Sequence, residues 1–125
     1  MNSSRKPLRV LVVDDNVGLA ENIAEVLELE GHAAVIATSA EEALEKAGPP
    51  PPDILVTDYK LPGMTGAMLV RQLAAAGHRV HSIVISAYTD EPTIEDARRS
   101  GASFVAKPID LQVLGRLIGE LEGSA

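Results

Sequence analysis

The sequence contains no cysteine and no tryptophan, and aromatic residues make up only 2% of it. The missing thiols exclude disulfide frameworks, thiolate zinc sites and cysteine nucleophiles together. The scarcity of rings removes the platforms on which bases stack, and a net charge of −7 repels a phosphate backbone. Direct binding of nucleic acid is therefore not expected. No apolar run approaches the roughly 18 residues of a membrane span. Only residues 10–13 are continuously apolar after the polar start, and two aspartates follow them. Neither a signal peptide nor a membrane anchor is expected, and the expected compartment is the cytoplasm.

What is present is an aliphatic core. The 125 residues are 46% hydrophobic with mean hydropathy +0.10, enough for one globular domain. Short aliphatic runs at residues 10–13, 33–37, 54–56, 82–85 and 104–106 predict five strands. The first is apolar at every position, as in a parallel strand buried on both faces. Stretches with helical spacing separate the runs. Ala20, Ile23, Ala24 and Leu27 recur at i, i+3, i+4, i+7, with Gly31 as a stop. Ser39 and Glu42 read as a capping box ahead of Ala40, Ala43, Leu44 and Ala47. Gly66, Leu69, Val70 and Leu73 give a third helix ending near Gly77. Ile94 and Ala97 anchor a fourth over residues 92–100, and Leu111, Leu114, Ile118 and Leu121 a fifth. Regular alternation with short connections predicts an α/β fold, a doubly wound parallel sheet of five strands with five helices on its two faces. Gly48 and the four prolines after it read as a polyproline spacer. The expected plan is a flexible tail at 1–7, one domain at 8–122 and a short tail at 123–125.

The chemistry collects at strand ends. Asp14 and Asp15 follow the first strand, Asp58 the third, Ser86 the fourth and Lys107 the fifth. In a parallel sheet all of these lie at the carboxyl edge, where open α/β folds place their ligands. Taken singly, each has a plain reading: a helix cap, a turn aspartate, a loop hydroxyl, a solvated lysine. Four strand ends agreeing weigh against four independent coincidences. Carboxylates gathered at one spot repel, and a hard divalent cation such as Mg²⁺ relieves them while keeping waters that substrate oxygens can replace. Lys107 adds positive charge and Ser86 a hydroxyl donor. Such a set serves phosphoryl transfer, with cations to spread charge and a carboxylate as nucleophile.

The ordered motifs Val12-Val13-Asp14-Asp15-Asn16, Thr57-Asp58-Tyr59-Lys60-Leu61-Pro62-Gly63-Met64, Ile85-Ser86-Ala87 and Ala106-Lys107-Pro108 resemble the receiver domain of bacterial two-component response regulators. The resemblance covers nearly the whole chain. It implies a flavodoxin-like strand order of 2-1-3-4-5. It also implies that Asp58 is the phosphoacceptor, that Asp15 binds Mg²⁺ directly and Asp14 through water, and that the Lys60 backbone carbonyl completes the protein ligands. Lys107 would pair with the phosphoryl group, Ser86 would hydrogen-bond it, and Phe104 would turn inward as Ser86 moves. The family more often has Thr and Tyr at these last two positions; Ser keeps the hydroxyl without the methyl, and Phe the ring without the phenol. Lys60 and Tyr88 would border the path of the water that removes the phosphoryl group. The Lys107–Pro108 bond is expected to be cis. A sensor histidine kinase or phosphotransfer protein would be the donor, and an output domain or effector the recipient.

Two other classes compete. A phosphohydrolase of the haloacid-dehalogenase type would use an aspartyl nucleophile but wants Asp-x-Asp after the first strand, where this chain has Asp14-Asp15-Asn16. An interaction module that is never phosphorylated usually lacks part of the acidic set, and here none is missing. On the fifth helix, Val113 and Leu117 widen the apolar surface beyond the core stripe, while Gly115 and Gly119 would let another backbone approach. That points to a partner or homodimer surface on the fourth helix, fifth strand and fifth helix.

Overall fold

The computed structural model describes residues 7–48 and 50–124, the side chains of 122–124 excepted. Of the predicted amino-terminal tail only Pro7 falls among them, and Pro49 of the proline run lies outside. Five parallel strands, β1 (Arg9–Val13), β2 (Ala33–Ala37), β3 (Ile54–Asp58), β6 (His81–Ser86) and β7 (Ser103–Ala106), form one sheet in the order β2-β1-β3-β6-β7. This is the expected 2-1-3-4-5 order, renumbered by a small hairpin of β4 (Lys60–Leu61) and β5 (Met64–Thr65). The sequence reading missed that hairpin, because strands of two residues are too short to show a period. Gly63 takes φ 76 in its turn, a conformation that favours glycine.

Period-two alternation explains the layers. Val10, Val12, Ile54, Val56, Ile83 and Ile85 face one side and pack with Ala20, Ile23 and Leu27 of α1 (Val17–Leu29) and with Leu114 and Ile118 of α5 (Leu111–Ser124). Leu11, Val13, Leu55 and Val84 face the other side. There they meet α2 (Ala40–Lys46), α3 (Gly66–Ala75) and α4 (Glu91–Arg99). Each fully buried Val, Leu or Ile contributes about 1.5–3 kcal/mol relative to exposure. These two layers therefore hold the sheet rigid beneath its carboxyl edge.

Caps set the helix starts. Asn16, Ser39, Thr65 and Asp90 each accept a backbone N–H from the first turn of α1, α2, α3 and α4. The expected capping box is half formed. Ser39 caps Glu42, but Glu42 reaches back to the Thr38 N–H at 2.7 Å rather than to Ser39. In α4 the buried residues are Thr93 and Ala97, whereas Ile94, read as an anchor, is only half-buried.

α5 runs through Ser124, so Gly123 and Ser124, assigned to the tail, are helical. Its two glycines differ. A side chain at Gly115 would meet the Glu30 carboxylate at 2.9 Å, so that gap is filled within the chain, while Gly119 faces open space. Leu117 packs on the core and Val113 stays 45% exposed. At the sheet edge, β2 pairs among the described residues only with β1. The Ala33 N–H donates to Leu8 and the Ala37 carbonyl accepts from Asp14, so the intervening Ala34 and Ile36 turn their backbone groups outward. The Ile36 carbonyl is covered by Lys46 Nζ at 2.7 Å.

Candidate functional site

Strand register assembles the site. Val13 pairs with Thr57, so Asp14 emerges beside Asp58. Asp58 pairs with Ile85, so Ser86 follows next to it. Ser86 pairs with Ala106, and the Lys107 N–H donates to the Ser86 carbonyl at 2.8 Å. Every strand-end residue singled out in the sequence therefore sits on one edge. The Lys107–Pro108 bond is cis.

Carboxylate oxygens of Asp14, Asp15 and Asp58 all lie within 4.8 Å of one another. Asp14 is buried, Asp58 half-buried and Asp15 exposed. The Asn16 N–H donates to Asp14 Oδ1 at 2.9 Å, fixing that carboxylate at the head of α1. Lys107 Nζ stands 3.5 Å from Asp14 Oδ2 and 3.4 Å from Asp58 Oδ1, bridging the two. Burial, and then the charge of Asp14, push the Asp58 carboxyl above its ordinary range, and Lys107 offsets part of this. Among the described residues, the one ammonium paired with these carboxylates, that of Lys107, leaves the cluster short of positive charge. A hard, oxygen-seeking divalent cation fits that donor set.

Ser86 is buried, and its Oγ accepts the Tyr88 N–H at 2.8 Å, leaving its proton for another acceptor. Lys60 of β4 and Tyr88 of the loop after β6 meet with Nζ 5.1 Å from the ring centre. Phe104 lies one strand over, paired with Val84 and half-buried against the core rather than at the acidic cluster.

Sequence reasoning missed the strict requirement at Gly66. A Cβ there would overlap the Asp58 carbonyl oxygen and come within 2.9 Å of Thr57 Cγ2. Only a bare backbone lets α3 start so close to Asp58. Its position just after the Thr65 cap was the available signal. Also unforeseen was the meeting of Tyr59, Arg71 and Asp96.

The sequence profile of the response regulator receiver domain matches residues 10–118. A response regulator receiver protein of Anaeromyxobacter sp. is 39% identical over 102 residues, 81% of this chain and 43% of that protein. The sporulation initiation phosphotransferase F of Bacillus subtilis is 29% identical over 104 residues, 82% of this chain and 84% of that protein. This chain thus spans less than half the length of the first relative and most of the second. Among solved structures, a CheY-like response regulator receiver domain protein from Methanospirillum hungatei superposes with a TM-score of 0.88 at 26% identity. The match covers 95% of this chain and 96% of that one.

Proposed function

The chain belongs to the response regulator receiver family of two-component signalling, and from that premise we propose that Asp58 is the residue that carries the phosphoryl group. The observation behind this is the carboxylate cluster itself: three strand-end aspartates with oxygens within 4.8 Å and Lys107 Nζ 3.4 Å from Asp58 Oδ1. Asp58 Oδ attacks the phosphorus of a phosphohistidine or a small acyl phosphate. A new P–O bond forms as the donor's P–N or P–O bond breaks, and the leaving group takes the electron pair. Lys107 holds an equatorial oxygen of the transferring group, and Ser86 donates its free proton to the product. Mg²⁺ held by Asp14, Asp15, Asp58 and the Lys60 carbonyl would supply further charge neutralisation. In the return reaction water attacks phosphorus, releasing inorganic phosphate and restoring the carboxylate. The chain thus catalyses only its own phosphorylation and dephosphorylation.

The donor is a sensor histidine kinase or phosphotransfer protein, and the recipient an output domain or effector contacted through α4, β7 and α5, the same face serving a homodimer. Phe104, half-buried beneath that face, turns inward as Ser86 is drawn to the phosphoryl group. The functional unit runs from residue 8 to the end of α5, and the reaction runs in the cytoplasm. Nothing observed favours the phosphohydrolase or the unphosphorylated module.

Intact-mass measurement with acetyl phosphate and Mg²⁺ tests the assignment: wild type gains one phosphoryl group and Asp58→Asn none. Equal labelling of the variant would end it. The Lys60–Tyr88 pair shields the phosphoryl group from water, so Lys60→Ala and Tyr88→Ala each shorten its lifetime. Unchanged phosphate release from both variants would make the pair an ordinary surface contact.

A further inference from the structure

One polar cluster has no part in the chemistry described above. The Tyr59 hydroxyl donates to Asp96 Oδ2 at 2.8 Å. Arg71 Nη2 donates to Asp96 Oδ1 at 2.8 Å and to the Asp96 carbonyl at 3.2 Å. Tyr59 follows Asp58 directly, Arg71 belongs to α3 and Asp96 to α4, so three elements meet on one carboxylate. Both bonds to the carboxylate are charge-assisted.

The cluster matters because α4 has little else to hold it. α4 buries Thr93 and Ala97, whereas α1 buries Ala20, Ile23, Ala24 and Leu27. At the other end, the Tyr59 N–H donates to the Ile85 carbonyl at 2.7 Å, one residue before Ser86. Tyr59 therefore has its backbone pinned to β6 between acceptor and hydroxyl, and its side chain pinned to α4. When Ser86 turns its hydroxyl to a phosphoryl group, its bond to the Tyr88 N–H is disturbed. The loop that carries Asp90, the cap of α4, starts from that bond, so a move of Ser86 would be passed along it to α4. Tyr59, bonded to β6 through its own N–H, would not follow. A hydrogen bond of 2.8 Å is lost beyond roughly 3.5 Å, so a displacement of under an ångström breaks it.

We propose that Tyr59 is a positioning residue and that Tyr59, Asp96 and Arg71 form a latch holding α4 in its unphosphorylated place, so that phosphorylation works against it. This rests on Asp58 being the phosphoacceptor. A contact present in one state and absent from the other biases the equilibrium between them, and removing it favours the phosphorylated arrangement. The test is the initial rate of labelling by sub-saturating acetyl phosphate with Mg²⁺. Wild type is compared with Tyr59→Phe, Asp96→Ala, Arg71→Ala and the Tyr59→Phe/Asp96→Ala double variant, with Asp58→Asn as control.

Tyr59→Phe keeps the ring and loses only the hydroxyl, and should label roughly three- to tenfold faster, the equivalent of one hydrogen bond. The double variant should gain less than the product of the two single gains, because they remove one shared bond. General loss of stability would slow labelling, so an increase separates a latch from a mere brace. If Tyr59→Phe does not fold, Arg71→Ala and Asp96→Ala carry the same expectation. Unchanged or slower labelling across the folded variants, with Asp58→Asn silent, overturns the latch alone. Labelling of Asp58→Asn overturns the phosphoacceptor reading beneath it.

Discussion

Asp58 sits in surroundings that oppose its own charge. Burial and the neighbouring Asp14 raise its carboxyl above the ordinary range, and Lys107 relieves the effect only in part. The native state therefore holds that proton more tightly than the unfolded chain does. Stability linked to this group is lost as pH rises from the ordinary carboxylate value, about 4, through the raised native one. Without a divalent cation, Asp58→Asn is expected to melt above wild type at pH 7, and the gap should vanish once pH falls below the ordinary value. Each 1 kcal/mol relieved moves the midpoint by about 2–8 °C, within reach of a simple melting series. A wild type as stable as the variant at pH 7 would contradict the crowding of charge. Asp14, Asp15, Asp58, Ser86 and Lys107 were legible in the sequence because a polar residue directly after an aliphatic run stands out. Tyr59, Arg71 and Asp96 were not, since their meeting depends on tertiary packing and no local spacing announces it.

Among the elements, α3 shows how a helix start fixes a reactive residue. Gly66 brings the first turn against the Asp58 carbonyl, and its own N–H donates to the Tyr59 carbonyl at 2.6 Å. Gly66→Ala has no room, and overpacking of this kind costs about 1–3 kcal/mol. The expected result is a lower urea midpoint together with slower labelling of Asp58; an unaltered midpoint would show that the junction yields. Element type followed from periodicity, because aliphatic runs and i, i+3, i+4 spacing are local properties. α4 is the instructive case. Its apolar pattern is thin, and the Asp90 cap, Pro92 in the first turn and Arg98 and Arg99 in the last define it instead. The β4–β5 hairpin went unread because two-residue strands carry no period.

For the whole molecule, the two aliphatic layers fix the sheet between its helices, and the strand order β2-β1-β3-β6-β7 gathers the site. The strand order itself came from the family resemblance, since alternation alone allows several orders. The face formed by α4, β7 and α5 offers a direct experiment. Leu117 is committed to the core, so a charge there would test folding, whereas the exposed Val113 is free for contact. With beryllofluoride standing in for the phosphoryl group, sedimentation is expected to show dimers of wild type and fewer for Val113→Glu. Identical profiles would remove Val113 from the interface.

The lysine laid across the outer rim of β2 bears on how the protein lives among its own copies. An uncovered ladder edge of small aliphatic residues invites another strand to extend it, and repeated extension is the route to fibres. Lys46 occupies an outward acceptor of that edge and places an ammonium where an incoming strand would have to strip its water. Lys46→Met should leave labelling intact yet give thioflavin-positive aggregates on prolonged incubation, and a clear solution would refute it. On that outcome a single side chain would guard the β2 rim of a signalling sheet against templating.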